Sequence, residues 1–330
     1  MNLLTNQQRL GELSMVGSAV LWGLLPVISK QAYAHIPVMV CAALSALAAA
    51  LFFALLTTVR GEWREVLNRE AMASSLISAL GIGVIYYGMV FWGQSMVPAS
   101  TTSVLLLMEV FFSMLLLRLM GHEQLSRRQV MGALVMVVGA ILVLAPDSVD
   151  AFGYGELIIL LAAAVPPLAN YHMQKARKLV GVSSIMFVRS VISFVMLAAV
   201  ALTVELMPST DALLAALPWV VVNGLLLFGI SKVLFVEAIR RIPISKAIAM
   251  NSLTPLVALA SAWWMLNEPA GWYQWLGCVP LSWGCWLLVS SGRMRTSAVA
   301  PIANAKNTST PGTTSRATPG TTSAPEPEAR

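Results

Sequence analysis

TTSVLLLMEVFFSMLLLRLM, residues 101–120, holds one carboxylate, Glu109, with eight uncharged residues on either side, from Thr101 to Leu117. Whether a carboxylate there is ordinary or costly depends on the medium around the run, and composition decides that. Of 330 residues, 58% are apolar and 11% charged, and the mean hydropathy is +0.77; a soluble domain carries about a quarter of its residues as charges. Too few polar side chains exist outside the C-terminal tail to cover an aqueous surface, so lipid must face most of the chain. Ten tryptophans and eighteen methionines suit that medium, with Trp favoured at the headgroups. The apolar runs are continuous and show no strict alternation, which indicates helices rather than a barrel.

A crossing helix needs roughly 20 mostly apolar residues. Outward from residues 101–120, the pattern predicts spans at 14–33, 37–58, 74–93, 98–118, 127–146, 154–173, 182–204, 213–236, 243–266 and 271–291. Residues 71–108 are uncharged for 38 positions, too long for one span, and QSMVPAS (94–100) supplies the break, Pro98 fitting a helix start. The first apolar segment reads as a retained helix, since no basic head and small-residue cleavage site accompany it.

The connections set the orientation. Arg9, Arg60, Arg64, Arg69, Arg127, Arg128, Lys175, Arg177, Lys178, Arg240, Arg241, Arg293 and Arg295 all fall on one side of this map. The alternate connections, AYAHIP, QSMVPAS, PDSVDAFGYGE, ELMPSTDALL and LNEPAG, contain no Lys or Arg. Basic connections stay in the cytoplasm, so both termini are expected there. The net charge of +6 is then a topology signal with anionic lipid as partner, not a sign of nucleic acid. The expected organisation is a cytoplasmic N-terminus (1–10), two membrane halves (11–146 and 153–292) and a Thr/Ser/Pro-rich, disordered cytoplasmic tail (293–330) in which TPGTTS occurs twice.

The halves repeat. At an offset of 145, Pro98 meets Pro243, Glu123 meets Glu268, Gly132 meets Gly277 and Gly139 meets Gly284; Gly11-Glu12-Leu13 returns at 144 as Gly155-Glu156-Leu157. Five spans per half is odd, so the second copy enters the membrane from the opposite side. Inverted repeats are a recurring plan of secondary transporters. The fold expected is therefore an all-α polytopic membrane protein of ten transmembrane helices in two inverted five-helix repeats.

Trp22-Gly23, the block GHEQLSRRQVMGALVMVVGAILVL (121–144) and its counterpart LNEPAGWYQWLGCVPLSWGCWLLV (266–289) together resemble the EamA-type members of the drug/metabolite transporter superfamily. The resemblance covers residues 11–292. It implies ten helices around a central cavity, export of amino acids or other small metabolites, and no ATPase. The chain departs from the family's habit in two places. It lacks an Arg early in the second helix, keeping one only in the seventh, at Arg189, and it has Glu109-Val110 where Glu-Pro is common, with Thr254-Pro255 in the ninth.

A midplane Asp costs about 2.5–3.5 kcal/mol on insertion scales, so Glu109 is expected to face the bundle interior. Thr102 and Ser113, at i−7 and i+4, would share its helix face. Glu109 could recognise a substrate amine, couple a proton, or only tie helices together. Other candidates for a substrate path are Trp22, Tyr86, Asn170, Arg189, Lys232, Asn251 and Thr254, each open to an ordinary interhelical or packing role. Arg189, Lys232 and Lys30 could also snorkel to headgroups. Glu123 and Glu268, at water-facing helix starts, suit the helix dipole.

No HExxH, GxSxG or Walker pattern occurs. Cys41, Cys278 and Cys285 lie in apolar segments without His, so no metal, cofactor or catalytic centre is expected. The partners expected are a small-molecule substrate, membrane lipid and a proton or ion gradient, in a cell membrane, bacterial inner membrane by composition. The oligomeric state, a homodimer included, is left open. The rival readings are an uptake permease of the same fold and a membrane sensor or assembly protein.

Overall fold

The computed structural model describes residues 2–119, 126–144, 153–242, 250–251, 253–268 and 271–291. Glu123, Pro243 and the tail after residue 292 lie outside the described residues.

Everything regular among the described residues is helical. The longer helices are α1 (Asn2–Tyr33), α2 (Val38–Arg60), α3 (Arg69–Met96), α4 (Ala99–Leu105 and Met108–Leu119), α5 (Arg127–Leu144), α6 (Tyr154–Ala163 and Pro166–Ala176), α7 (Val182–Val204), α8 (Thr210–Arg241), α9 (Thr254–Leu266) and α10 (Trp272–Ser291), with a single turn, Trp63–Val66, between α2 and α3. Among the described residues seven stretches, in α1–α4 and α6–α8, are long and apolar enough to cross a membrane. This is an all-α, multi-pass membrane protein. Large apolar side chains such as Leu55, Leu202 and Trp264 face outward, Trp264 at 81% exposure, as lipid allows.

Local sequence sets several boundaries. Pro37 sits just before α2, and Gly61 ends it with φ 66°, its N–H turned back to Thr57 and Thr58 carbonyls, a conformation that favours glycine. In α6, Pro166 and Pro167 open the second segment, where their missing N–H groups cost nothing. The break in α6 and another in α4 replace the continuous spans expected there. In α3 and α8 the helix loosens to π geometry over Ala79–Tyr86 and Asn223–Ile230, 144 residues apart.

The principal packing pairs are α2 with α7, α5 with α10, α1 with α8, α3 with α6, α2 with α8 and α3 with α7. Exchanging the halves maps this set onto itself. The individual contacts follow suit. Gly139 abuts Gly277 and Leu281, while Gly284 abuts Gly132 and Met136, the same contact moved by 145. Since Gly139 pairs with the earlier part of α10 and Gly284 with the earlier part of α5, these two helices are antiparallel. So are α2 and α7, whose ends cap one another. The carboxylate of Glu205, after α7, accepts from the N–H groups of Met39 (2.9 Å) and Val40 (3.0 Å) at the start of α2. Glu65, after α2, accepts from the N–H of Gly181 at 2.6 Å, and Glu62 takes the Ser183 hydroxyl, at the start of α7. Glu205 and Glu65 satisfy backbone donors at positive helix ends, and Glu62 adds its charge at the second.

The α5–α10 contact admits no side chain at its centre. A Cβ on Gly284 would stand 2.6 Å from the Gly132 carbonyl oxygen and 2.8 Å from the Met136 nitrogen, and backbone cannot retreat as a side-chain tip can. Gly284→Leu should therefore cost about 1–3 kcal/mol or more in overpacking. The expected result is a several-fold lower yield of monodisperse protein in size-exclusion chromatography. Wild-type yield and thermal stability would contradict the packing described.

Candidate functional site

Glu109 stands at a discontinuity. Between the segments of α4 the backbone tightens, Leu107 N–H donating to Val104, Glu109 to Leu106 and Val110 to Leu107 at 3.1–3.2 Å. These i→i−3 bonds turn the helix faster than an α-helix turns, so Glu109 is not in phase with the residues before the break. The second half repeats the arrangement. Leu253 donates to Met250 at 3.2 Å and the helix resumes at Thr254, which is position 109 moved by 145. Glu109 and Thr254 thus stand at equivalent positions in the first turns of Met108–Leu119 and of α9. The α9 break has a local cause, Pro255 in the first turn; Val110 holds that place in α4.

The groups around Glu109 come from both halves. The Asn170 amide, in the second segment of α6, lies 3.5 Å from Glu109 Oε1, a long contact. Lys232, in α8 just beyond its π segment, places Nζ 3.5 Å from the centre of the Trp22 ring in α1, well inside the range of a cation–π interaction. Lys232 is also within Coulombic range of Glu109 and Arg189. Trp22 is held by its neighbour: a Cβ on Gly23 would stand 2.7 Å from the Thr254 carbonyl oxygen, so α1 and α9 meet at close to backbone contact there. Behind these groups Phe228 stacks on Tyr87 at 4.6 Å and lies 6.4 Å from Trp22, and Tyr86 flanks Tyr87 at 5.4 Å. Arg189 is 5% exposed, with its guanidinium carbon 6.0 Å from the Tyr87 ring centre; it is buried in the bundle rather than extended to the headgroups. Glu109, Asn170, Trp22 and Lys232 remain half-buried.

Two of the residues expected beside Glu109 are differently engaged. The Thr102 hydroxyl is fully buried and donates to the Pro98 carbonyl at 3.1 Å, and that of Ser113 donates to the Glu109 carbonyl at 2.8 Å. Both satisfy the carbonyls of their own helix. Thr254 places its hydroxyl 3.3 Å from Asn251 Oδ1 and 3.4 Å from the Ala19 carbonyl, so this pair joins α9 to α1. Phe228 was given no part in the sequence reading. Its only signal is the i,i+4 spacing to Lys232, a common spacing in apolar helices.

A second polar cluster closes the other end of α1. Lys30 Nζ lies 2.8 Å from Glu268 Oε1, and Glu268 Oε2 accepts from the Ala99 N–H at 2.9 Å. Gln31 donates to the Met265 carbonyl at 3.2 Å. Glu268 thus favours a helix start, but that of α4 and not of its own neighbour α10. Lys30 is tied to it rather than extended to headgroups. The clasp joins α1, α4 and the connection after α9.

The EamA-like transporter family's sequence profile matches the chain twice, over residues 9–145 and 153–290. The chain belongs to the EamA-like transporter family. An uncharacterized transporter of Bacillus subtilis, YoaV, is 24% identical over 259 residues, covering 78% of this chain and 88% of that protein. A probable terminal-alkyne amino-acid exporter of Streptantibioticus cattleyicolor is 27% identical over 217 residues, covering 64% of this chain and 67% of that protein. A crystal structure at 16% identity superposes with TM-score 0.62 over 86% of this chain and 97% of its own, which concerns the fold alone. Family membership makes the protein a small-molecule transporter of the drug/metabolite superfamily and not an enzyme. Among the described residues no group of three or more His, Cys, Asp or Glu side chains is placed to hold a metal ion.

Proposed function

We propose that this protein is a secondary exporter of amino acids or related compounds, working by alternating access in the bacterial inner membrane. The observation that carries the reading is the placement of Glu109 and Lys232. Two opposite charges, from different halves, stand half-buried, Glu109 at a helix break and Lys232 beside a π segment and an aromatic wall. Ionisable side chains at membrane depth are rare, and they mark substrate and ion pathways. Broken helices near the midplane are the usual supports of such sites. Glu109 receives the substrate amine or a proton, and a proton gradient drives export. The amino-acid exporter named among the relatives supports the substrate class, and the bacterial relatives support the membrane.

The exchange of α1–α8 for α6–α3, together with the antiparallel α2–α7 and α5–α10 pairs, supports two inverted halves. On this reading the chain crosses the membrane ten times and both termini are cytoplasmic. A reporter fused after Gly292 should read cytoplasmic, and one inserted within residues 147–153 periplasmic. The opposite outcome at either site removes the inverted arrangement. Export itself is tested by loading cells that express the protein with a panel of amino acids and analogues and following retention. Faster loss of at least one amino acid than in empty-vector cells is expected; equal retention of every compound would defeat the reading.

A further inference from the structure

Among the described residues Lys232 meets only one side of what an ammonium requires. Its Nζ rests on the Trp22 ring, which attracts positive charge but accepts none of the three N–H bonds a lysine can donate. Among the described residues no oxygen accepts from it, and the ion pairs there are Lys30 with Glu268 and Glu237 with Arg240 and Arg241. Glu109 and Lys232 therefore lie within Coulombic range with no ion pair between them among the described residues. Arg189, also within Coulombic range, adds a second positive charge on that side. Lys232 is half-buried, and an ammonium that rests on a ring beside a second cation, with no protein oxygen among the described residues accepting from it, gains most from an incoming anion.

We infer that Lys232 is the specificity-determining residue that binds a substrate carboxylate, drawn off the Trp22 ring as that carboxylate arrives. The inference rests on the transport reading above and fixes the polarity of that site. The substrate's cationic group points to Glu109 and the Asn170 side, its anionic group to Lys232 and Arg189, and its apolar part to Trp22. The class selected is the compact zwitterion; an amine without a carboxylate leaves Lys232 where it is, and an acid without an amine leaves Glu109 unanswered. The lysine is a point charge with three rotatable donors, so it can turn from ring to carboxylate without a large backbone movement.

The test is equilibrium binding to the purified full-length protein in detergent. The probes are phenylalanine and leucine, each with its decarboxylated amine and its deaminated acid. Wild type should bind the amino acids at least tenfold more tightly than the amines, about 1.4 kcal/mol. Lys232→Gln should abolish that preference by weakening the amino acids while leaving the amines unchanged. Lys232→Arg, which keeps the charge, should retain most of it and shows that loss in the glutamine variant is not misfolding. Wild type that binds neither amino acid removes this inference and the amino-acid reading together. Wild type that prefers the amino acids, with Lys232→Gln preferring them equally, leaves the transport reading standing and overturns the role of Lys232 alone.

Discussion

Glu109→Gln should lower coupled export at least tenfold at unchanged protein level, about 1.4 kcal/mol of transition-state stabilisation. Glutamine preserves the shape of the side chain and its ability to meet the Asn170 amide, and removes only the capacity to ionise. Glu109→Asp should keep part of the rate, because the charge survives at shorter reach. The opposing account, a glutamate that only joins helices, predicts Glu109→Gln close to wild type and Glu109→Leu short of folded protein. Polar contacts between membrane helices are modest, averaging about 0.6 kcal/mol in one studied protein, so that shortfall would be small. Flux in vesicles, normalised to folded protein and with the two pH values set independently, separates the accounts. Glu109→Gln transporting normally at every pH gradient would remove the carboxylate from coupling.

Tying the Lys30–Glu268 clasp shut should stop transport almost completely. The clasp spans α1, the N-terminus of α4 and the connection after α9, elements that on the alternating-access reading must separate once per cycle on that side. The salt bridge is partly exposed, its side chains at 19% and 28%. Such a pair contributes about 0–1 kcal/mol, which suits a contact that opens and closes. In a background with Cys41, Cys278 and Cys285 replaced by alanine, Lys30→Cys with Glu268→Cys should retain measurable flux. A bifunctional methanethiosulfonate joining the two cysteines should remove it, and dithiothreitol should restore it. Full flux in the joined protein would mean that this side stays shut throughout the cycle, or takes no part in it.

The fold was legible in the sequence where one physical rule dominates. The length of apolar runs gave the helices, but the run over 154–173 reads as continuous where the Pro166–Pro167 pair opens a second segment, because hydropathy averages over a break that backbone geometry makes. The Gly139 and Gly284 correspondence gave a helix contact, because only a missing side chain permits that approach.

The site was legible in kind but not in geometry. A carboxylate amid apolar residues marks itself, and so Glu109 could be picked out. The break beside it could not, since Val110 stands where Pro255 stands in the other half; the helix is interrupted there without a local breaker. That interruption also undid the i−7 relation between Thr102 and Glu109, which assumes an unbroken helix. The seating of Lys232 on Trp22 joins α8 to α1, some 210 positions apart in sequence, and no local spacing encodes it. Glu268 was legible as a residue for a helix start; which start it serves is a tertiary fact.

The most direct measurement is counterflow in vesicles reconstituted with the purified protein. Vesicles preloaded with an unlabelled amino acid and diluted into a trace of the same labelled compound should accumulate label transiently above equilibrium, because carrier exchange is faster than net loss. Glu109→Gln vesicles of equal protein content should show at least tenfold slower accumulation. Label entering preloaded protein vesicles no faster than protein-free ones, for every amino acid tried, would contradict the account.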